Sequence, residues 1–315
     1  MPSLFIDRRT TQLKLDGEVL ICYENEERIA TIPLAPIERL YMKGDIALQA
    51  SLLAKLGEKG IGVVFLQGRK NIPMLFLSQP HNDAQRRVMQ YAKSQDTAFC
   101  LDWAKYLIRQ KIVSQRACLD DMAKNNEKIT ACIDELVSLM AMLPQQTELA
   151  SLRGVEGKMG AVYFQALKQL LPAKLGFEGR NRRPPKDPFN AALSFGYTIL
   201  YSEASLALYS AGLDPFVGFF HELHFGRKSL ACDIMEPLRP QFDRWLIDCF
   251  LQGILTVEHF SQTNEGCILT KEGRVIFYTE FEKRAIAWRK TLENQSYTLA
   301  NLITDKADWE DICVI

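Results

Sequence analysis

The chain has 315 residues, of which 47% are hydrophobic, and its 38 Lys and Arg residues balance 38 Asp and Glu residues. This size and apolar content suffice for two packed domains, whereas the zero net charge gives no support for nucleic-acid binding unless basic residues cluster locally. We expect a cytoplasmic protein, because no apolar core of signal-peptide length begins the sequence and the eight cysteines occur singly, without the C-x-x-C pair of a zinc site.

Short strands are predicted throughout the first 77 residues. Asp16 and Gly17, between strands at 12–15 and 18–23, are a strong signal for a tight β-hairpin. Further strands are predicted at 29–33, 37–42, 62–66 and 72–77. A helix at 46–59, ending near Gly57 or Gly60, interrupts them. The sequence therefore predicts a β-rich N-terminal domain at 1–77, followed by a linker at 78–83.

Beyond this linker the apolar residues recur with the 3.6-residue period of helices, and Asp83 is placed to cap the first long one. Further helices are predicted at 128–143, 148–171, 188–211, 240–253 and 271–293. The longest uncharged stretch of this half, between Asp187 and Glu203, is too short to span a membrane and suits a buried helix. The tail after Asn294 is weakly patterned, and we expect it to be the least ordered part. The pattern predicts an α-helical domain at 84–315.

Glu156 is a candidate functional residue because of its neighbours on the predicted helix. It shares one face with Leu152, Met159 and Tyr163. A carboxylate in an apolar stripe costs free energy unless a positive charge compensates it. Either an ion pair with an arginine such as Arg153 or a metal ion would supply that charge, and this segment alone does not separate the two.

His221 and two carboxylates form a second candidate group. His221 follows the apolar run at 216–220, a position in which a lone histidine is commonly a hydrogen-bonded core residue. Glu236 precedes Pro237, which disfavours helix at position 236 and places the carboxylate at the end of an element. Asp233 either points the same way, caps a helix or pairs with Arg239. An imidazole with carboxylates is a ligand set suited to a divalent cation.

Basic residues cluster in a proline-rich loop upstream of these groups. Residues 174–186 carry five basic groups against one acidic group. Such a run is commonly a solvated loop, but Pro184 and Pro185 stiffen it directly before a buried helix. Fixed guanidinium groups beside an anionic metal site are suited to binding phosphate. We predict DNA-backbone contacts at Arg182, Arg183, Lys186, Arg227, Lys228 and Arg239.

Four segments, together with Glu156 in G-x-E-G, carry a resemblance to a known family. In chain order they are FCLDWAKYLIRQKIVSQRACL, with Lys111 and Gln115 in a K-x-x-x-Q pattern, GRNRRPPKDPFNAALSFGY, GLDPFVGFFH and SLACDIMEPLRPQFD. In this combination, which spans nearly the whole chain, the sequence resembles the CRISPR adaptation integrases, which insert spacers into CRISPR arrays. The resemblance implies an α+β fold, with an N-terminal β-sandwich-like domain followed by an all-α catalytic domain.

The resemblance also implies a metal site formed by a glutamate, a histidine and a second carboxylate. By motif these are Glu156, His221 in G-F-F-H and Glu236 in D-I-M-E, with Asp233 as an auxiliary ligand; His224 is an alternative imidazole. The bound ion would be Mg²⁺ or Mn²⁺. The 3′-hydroxyl of a short DNA fragment would attack a phosphodiester at the repeat boundary, and no protein nucleophile is required.

Partners are implied in the same way: double-stranded DNA and a small ferredoxin-like CRISPR-associated protein, bound by a homodimer, with no membrane. The edges of the short N-terminal strands make that domain the predicted dimer surface. Three alternatives stay open. They are a stand-alone metal-dependent DNase acting on branched or repair DNA, a non-catalytic DNA-binding assembly subunit with ion pairs in place of the metal, and a transposon-encoded integrase.

Overall fold

The computed structural model describes residues 3–8, 10–68, 71–77, 83–120, 122–123, 126–264 and 266–312. These residues fall into two compact units, one drawn from Met1–His81 and Phe277–Ala287, the other from Asn82–Ile276 and Trp288–Ile315. Strands dominate the first unit and helices the second, so the predicted fold class is confirmed. Residues 78–82 of the predicted linker lie outside the described residues.

The first unit contains two four-stranded sheets. Its described elements are β1 Ser3–Asp7, β2 Thr11–Asp16, β3 Val19–Glu24, β4 Glu27–Pro33, β5 Arg39–Lys43, β6 Ile46–Leu48, α1 Ala50–Glu58, β7 Gly62–Gln67 and β8 Ile72–Phe76. The sheet orders are β1-β5-β7-β8 and β4-β3-β2-β6. The predicted hairpin joins β2 to β3, with Asp16 opposite Val19 and Gly17 at φ +57°, a left-handed conformation that glycine adopts without strain.

One apolar core joins the two sheets of this unit. Leu13 and Leu20 reach it from one sheet, Leu40 and Val63 from the other, and Leu52 from α1, all almost completely buried. The unit is therefore a β-sandwich closed by a helix. The predicted helix at 46–59 begins too early, because residues 46–48 pair in parallel with β2 as strand β6. A three-residue strand is too short for periodicity to reveal.

The second unit is mainly helical. Its described elements, together with the part of α9 that belongs to the first unit, are α2 Ala84–Ser94, α3 Thr97–Asp120, α4 Glu127–Ala141, α5 Leu149–Leu170, α6 Pro188–Ser210, α7 Ser229–Met235, α8 Arg239–Leu251, β9 Phe260–Thr263, β10 Gly266–Leu269, α9 Lys271–Ile303 and α10 Trp309–Ile312. Helix α3 packs against α4, α5 and α8, and α6 packs against α7. Among the described helices, none has the length and apolar character needed to cross a bilayer.

The C-terminal part differs from the sequence prediction. Helix α9 continues to Ile303, well beyond the predicted end at 293. The predicted helix ended too early because polar residues on the buried face interrupt the apolar pattern. Arg289 pairs with Glu203 at 2.9 Å, and both are almost fully buried; Ser296 donates to the Leu292 carbonyl oxygen. The segment after residue 294, expected to be the least ordered, is thus largely helical.

Candidate active site

Three elements bring the candidate residues together. Helix α3 supplies Lys111, α5 supplies Glu156, and the 3-10 turn Glu236–Leu238, which directly follows α7, supplies Glu236. His221 lies in the irregular segment between α6 and α7. Because α3 packs against both α5 and the 3-10 turn, helix packing fixes the separation between Lys111 and the two glutamates.

Lys111 lies between the two glutamates. Its Nζ contacts Glu156 Oε1 and lies 2.7 Å from Glu236 Oε2, while the lysine side chain is only 9% exposed. Burial alone would lower the pKa of Lys111, but the two carboxylates outweigh it and hold the pKa above its usual value. The ammonium group therefore stays charged and compensates both carboxylates. The ion-pair partner of Glu156 is thus this lysine, and not an arginine such as Arg153.

Glu236 is a buried carboxylate with a second counter-ion. Arg239 Nε lies 3.0 Å from its Oε1, and His221 Nε2 lies 3.9 Å from the same oxygen. Burial opposes ionisation, yet the charges of Arg239 and Lys111 prevail and lower the pKa of Glu236. The side chain is therefore an anion although it is 8% exposed.

Asp233 orients the imidazole of His221. Its Oδ1 lies 2.7 Å from His221 Nδ1 and accepts the His221 backbone N–H at 2.9 Å, while Oδ2 accepts the N–H groups of Phe219 and Phe220 at 2.8 and 3.1 Å. Both oxygens are thus committed to this segment, which is the geometry of a supporting group rather than of the predicted auxiliary ligand. With Nδ1 held, Nε2 is the ring nitrogen that faces Glu236.

Gly218 explains how the histidine segment approaches α7 so closely. A Cβ atom at this position would lie 2.8 Å from the Ser229 carbonyl carbon and 2.9 Å from Asp233 Oδ2. Only glycine leaves room for the aspartate beneath the three backbone N–H groups. His224 is exposed, with Nδ1 3.0 Å from the Phe225 carbonyl oxygen, whereas His221 lies beside Glu236.

An open cavity of about 740 Å³ lies beside the ion pairs of Lys111. Lys111, Glu156 and Glu236 line it, and it extends along α5 past Gly157 and Gly160. A Cβ atom at either glycine would meet nothing within 4 Å, so this face of the helix is open. A backbone or strand of a ligand can approach α5 closely here.

The predicted basic loop borders this cavity. Arg182, Arg183 and Lys186 are exposed, and Arg182 lines the cavity. Two hydrogen bonds hold the loop backbone. The Asn181 side chain accepts the Lys186 backbone N–H at 2.8 Å, and the Cys267 N–H of strand β10 donates to the Pro185 carbonyl oxygen at 2.8 Å. Its three exposed cations are therefore held on an ordered backbone.

The other predicted DNA contacts are less accessible. The predicted DNA contact at Arg239 is wrong. The Arg239 side chain is only 15% exposed, pairs with Glu236 and lies 4.6 Å from the centre of the Tyr197 ring. It is an internal counter-ion, because its charge is already compensated. Lys228 is half-buried over Tyr201, and burial lowers its pKa to about 8; Arg227 donates to the Glu222 carbonyl oxygen.

A buried acid that the sequence did not single out also lines the cavity. The Tyr197 hydroxyl donates to Asp243 Oδ1 at 2.5 Å, and Asp243 is 1% exposed. Burial raises the pKa of this carboxyl to about 7, although the Tyr197 hydrogen bond and the Arg239 charge favour ionisation. Asp243 therefore titrates near neutrality at the cavity wall.

The side chains of Glu156, Glu236 and His221 are of the types that bind a divalent cation, although the Lys111 ammonium lies between the two carboxylates. Among the described residues, no three His, Cys, Asp or Glu side chains converge closely enough to hold a metal ion in this arrangement, since the Lys111 ammonium separates the carboxylates. Gln115 Oε1, at the cavity wall, is nevertheless buried without a hydrogen bond. Two carboxylates and an oriented imidazole are suitable ligands for Mg²⁺ or Mn²⁺.

Comparison with known sequences gives a consistent result. The profile of the family described as CRISPR associated protein Cas1 matches residues 4–283. A protein of Thermodesulfovibrio yellowstonii, named CRISPR-associated endonuclease Cas1 1, is 34% identical over 315 residues, which covers 98% of this chain and 99% of the relative.

Solved structures share the fold. A chain of a Cas6-RT-Cas1–Cas2 complex is 25% identical with a TM-score of 0.82, and the match covers 96% of this chain and 35% of that chain. A casposase bound to integration product is 21% identical with a TM-score of 0.87, and the match covers 98% and 92%. At these levels the α+β architecture extends over nearly the whole chain.

Proposed function

We propose, since the chain belongs to the Cas1 family of CRISPR-associated proteins, that it is a divalent-metal-dependent DNA endonuclease and integrase that joins short DNA fragments into a CRISPR repeat array. The observation that carries this proposal is the pairing of Glu156 and Glu236 with the buried Lys111 at the wall of a cavity that the basic loop borders, with His221 Nε2 3.9 Å from Glu236. The reaction is a transesterification: a DNA 3′-hydroxyl attacks a phosphodiester, a new phosphodiester bond forms, the original one breaks and its 3′-oxygen leaves as a hydroxyl end. Attack by water instead would give hydrolysis.

Glu156, Glu236 and His221 Nε2 would hold Mg²⁺ or Mn²⁺, which supplies Lewis-acid activation of the hydroxyl and stabilisation of charge on the phosphoryl group. Arg239 and Lys111 keep the Glu236 carboxylate ionised, the form that binds a cation. Asp233 holds the imidazole from its other nitrogen, as outer partners of metal-ligating histidines do.

The exposed cations of the basic loop would bind the DNA backbone. Arg182, Arg183 and Lys186 are accessible and lie on an ordered backbone, so contact with phosphates requires little ordering of the loop backbone. Arg227 and Lys228 would add weaker contacts, because each is half-buried.

The protein would act as a homodimer with a small ferredoxin-like partner. One structure with the same fold is named as a complex that contains Cas1 and Cas2. The β-sandwich is the proposed dimer surface, since both of its described sheets have edge strands, to which a second chain can add. Light scattering after size-exclusion chromatography tests the dimer, and a single protomer mass would contradict it.

Substitution of the proposed ligands tests the reaction. Glu156→Ala and His221→Ala should each lower strand transfer of a fragment into repeat-containing DNA by at least about 100-fold, because each removes a metal ligand. His224→Ala, which removes an exposed imidazole three residues away, should retain nearly full activity. Wild-type strand transfer by either ligand variant would refute the assignment. Cleavage without joined product in the wild type would favour the stand-alone DNase.

A further inference from the structure

Arg153 connects the histidine segment to the helix that carries Glu156. It lies on α5, three residues before Glu156, and its guanidinium donates to the Phe220 carbonyl oxygen through Nε at 3.2 Å and Nη2 at 2.9 Å. Nη1 lies 2.6 Å from Glu222 Oε1. The two acceptors flank His221 on either side, so one side chain fixes the backbone of this residue against α5.

His221 is thus held by two side chains with different tasks. Asp233, on α7, accepts three backbone N–H groups and sets the direction of the ring through Nδ1. Arg153 binds the opposite, carbonyl side of the same segment. The segment has no regular secondary structure, so these side chains supply hydrogen bonds that a helix or strand would otherwise provide.

We propose that Arg153 is a positioning residue that fixes His221 relative to Glu156 and so sets the affinity of the site for its divalent cation. This inference rests on the proposed function, in which both residues are ligands. The essential contact is the one to the Phe220 carbonyl oxygen, because Phe220 is 3% exposed. The ion pair with Glu222 contributes little, since the Glu222 side chain is 70% exposed.

The test measures Mn²⁺ binding to the full-length protein by calorimetry. Arg153→Lys keeps the positive charge but loses the planar fork that reaches the Phe220 carbonyl oxygen, and it should weaken Mn²⁺ binding by about 10-fold or more. Arg153→Gln is measured in parallel and should show a similar loss. Glu222→Gln removes only the exposed ion pair and should leave the affinity within about twofold. Circular dichroism identifies any variant that fails to fold.

A double-mutant cycle distinguishes positioning from a general structural role. In a His221→Ala background, Arg153→Lys should cause no further loss of Mn²⁺ affinity, because the ligand that it positions is absent. An equal loss with and without His221 would overturn the inference. If His221→Ala itself leaves Mn²⁺ affinity unchanged, the ligand assignment fails. If His221→Ala weakens binding and neither Arg153 variant does, only the positioning role fails.

Discussion

Charge compensation organises the site at the level of single residues. Lys111 and Arg239 balance Glu156 and Glu236, so these four side chains have no net charge. A bound divalent cation would make the group positive, which favours a phosphodiester as the next ligand. Removal of Lys111 would leave Glu156 without this ion pair, whereas removal of Arg239 would leave Lys111 to compensate both carboxylates.

Asp243 gives the protein a pH-dependent stability. Burial raises the pKa of its carboxyl from 3.8 to about 7. The folded-state pKa of Asp243 is above its unfolded value, so the folded protein holds the proton more tightly. The resulting contribution to the free energy of unfolding is fully present below about pH 4 and is lost as the pH rises through about 7. Relative to Asp243→Asn, the wild type should lose up to about 4 kcal/mol of unfolding free energy between pH 4 and pH 8, measured by urea denaturation.

The matched control for this measurement is Asp248→Asn. Asp248 lies on the same helix but is 38% exposed and pairs with Arg244 at 3.2 Å. Its substitution should change stability by a nearly constant amount, within about 0.5 kcal/mol, over the same pH range. A flat difference for Asp243→Asn as well would show that Asp243 stays ionised in the folded protein.

The sequence singled out Glu156, His221 and Glu236 as candidate ligands but not the cations that pair with the two glutamates. Glu156, His221 and Glu236 stand in motifs whose spacing can be recognised. Lys111 was visible only as part of a K-x-x-x-Q pattern, and Arg239 was assigned to DNA although it faces Glu236. Side-chain pairing across helices far apart in sequence decides these roles, and local periodicity carries no information about it.

At the scale of elements, a small hairpin supports the basic loop. Gly266, at the start of β10, has φ +107°, and a Cβ atom there would lie 2.5 Å from the Pro185 carbonyl oxygen. The next residue, Cys267, donates its N–H to that same oxygen. The hairpin and the loop are therefore in close backbone contact.

Gly266→Ala should displace the basic loop and lower affinity for double-stranded DNA several-fold, measured by fluorescence anisotropy. Gly253→Ala is the matched control, because Gly253 also has positive φ, at +71°, but a Cβ atom there meets nothing within 4 Å. Gly253→Ala should lose about 1 kcal/mol of stability from backbone strain, and Gly266→Ala should lose more, because its Cβ atom also clashes with the loop. Equal DNA affinities for the two variants would show that contact between the hairpin and the loop does not affect DNA binding.

Long elements were predicted better than short ones. The helices at 128–143, 148–171 and 188–211 match α4, α5 and α6 to within two residues at each end. Strand β1, helix α7 and the hairpin β9–β10 were missed, because each is shorter than the window in which periodicity can be measured. Pairing with a distant strand, as between β1 and β5, stabilises such elements instead.

Because the whole molecule has zero net charge, the proposed DNA binding depends on where the cations lie. The basic loop concentrates exposed positive charge beside the cavity, although the chain as a whole is neutral. Arg182→Ala/Arg183→Ala should weaken DNA binding and reduce the slope of log affinity against log salt by about 1 to 2.

The control for this charge effect is Arg116→Ala/Lys128→Ala, which removes two exposed cations from α3 and α4. It should leave the salt slope nearly unchanged. An equal reduction by the two double variants would mean that DNA binding follows overall charge rather than the loop.

In the proposed function, Glu156, His221 and Glu236 share one divalent cation. Anomalous diffraction at the manganese edge, from crystals grown with Mn²⁺, would locate this ion. We expect a single strong peak within about 2.5 Å of both carboxylates and of His221 Nε2, with the Lys111 ammonium displaced from between the glutamates. No peak at this position, with Lys111 still bridging Glu156 and Glu236, would contradict it.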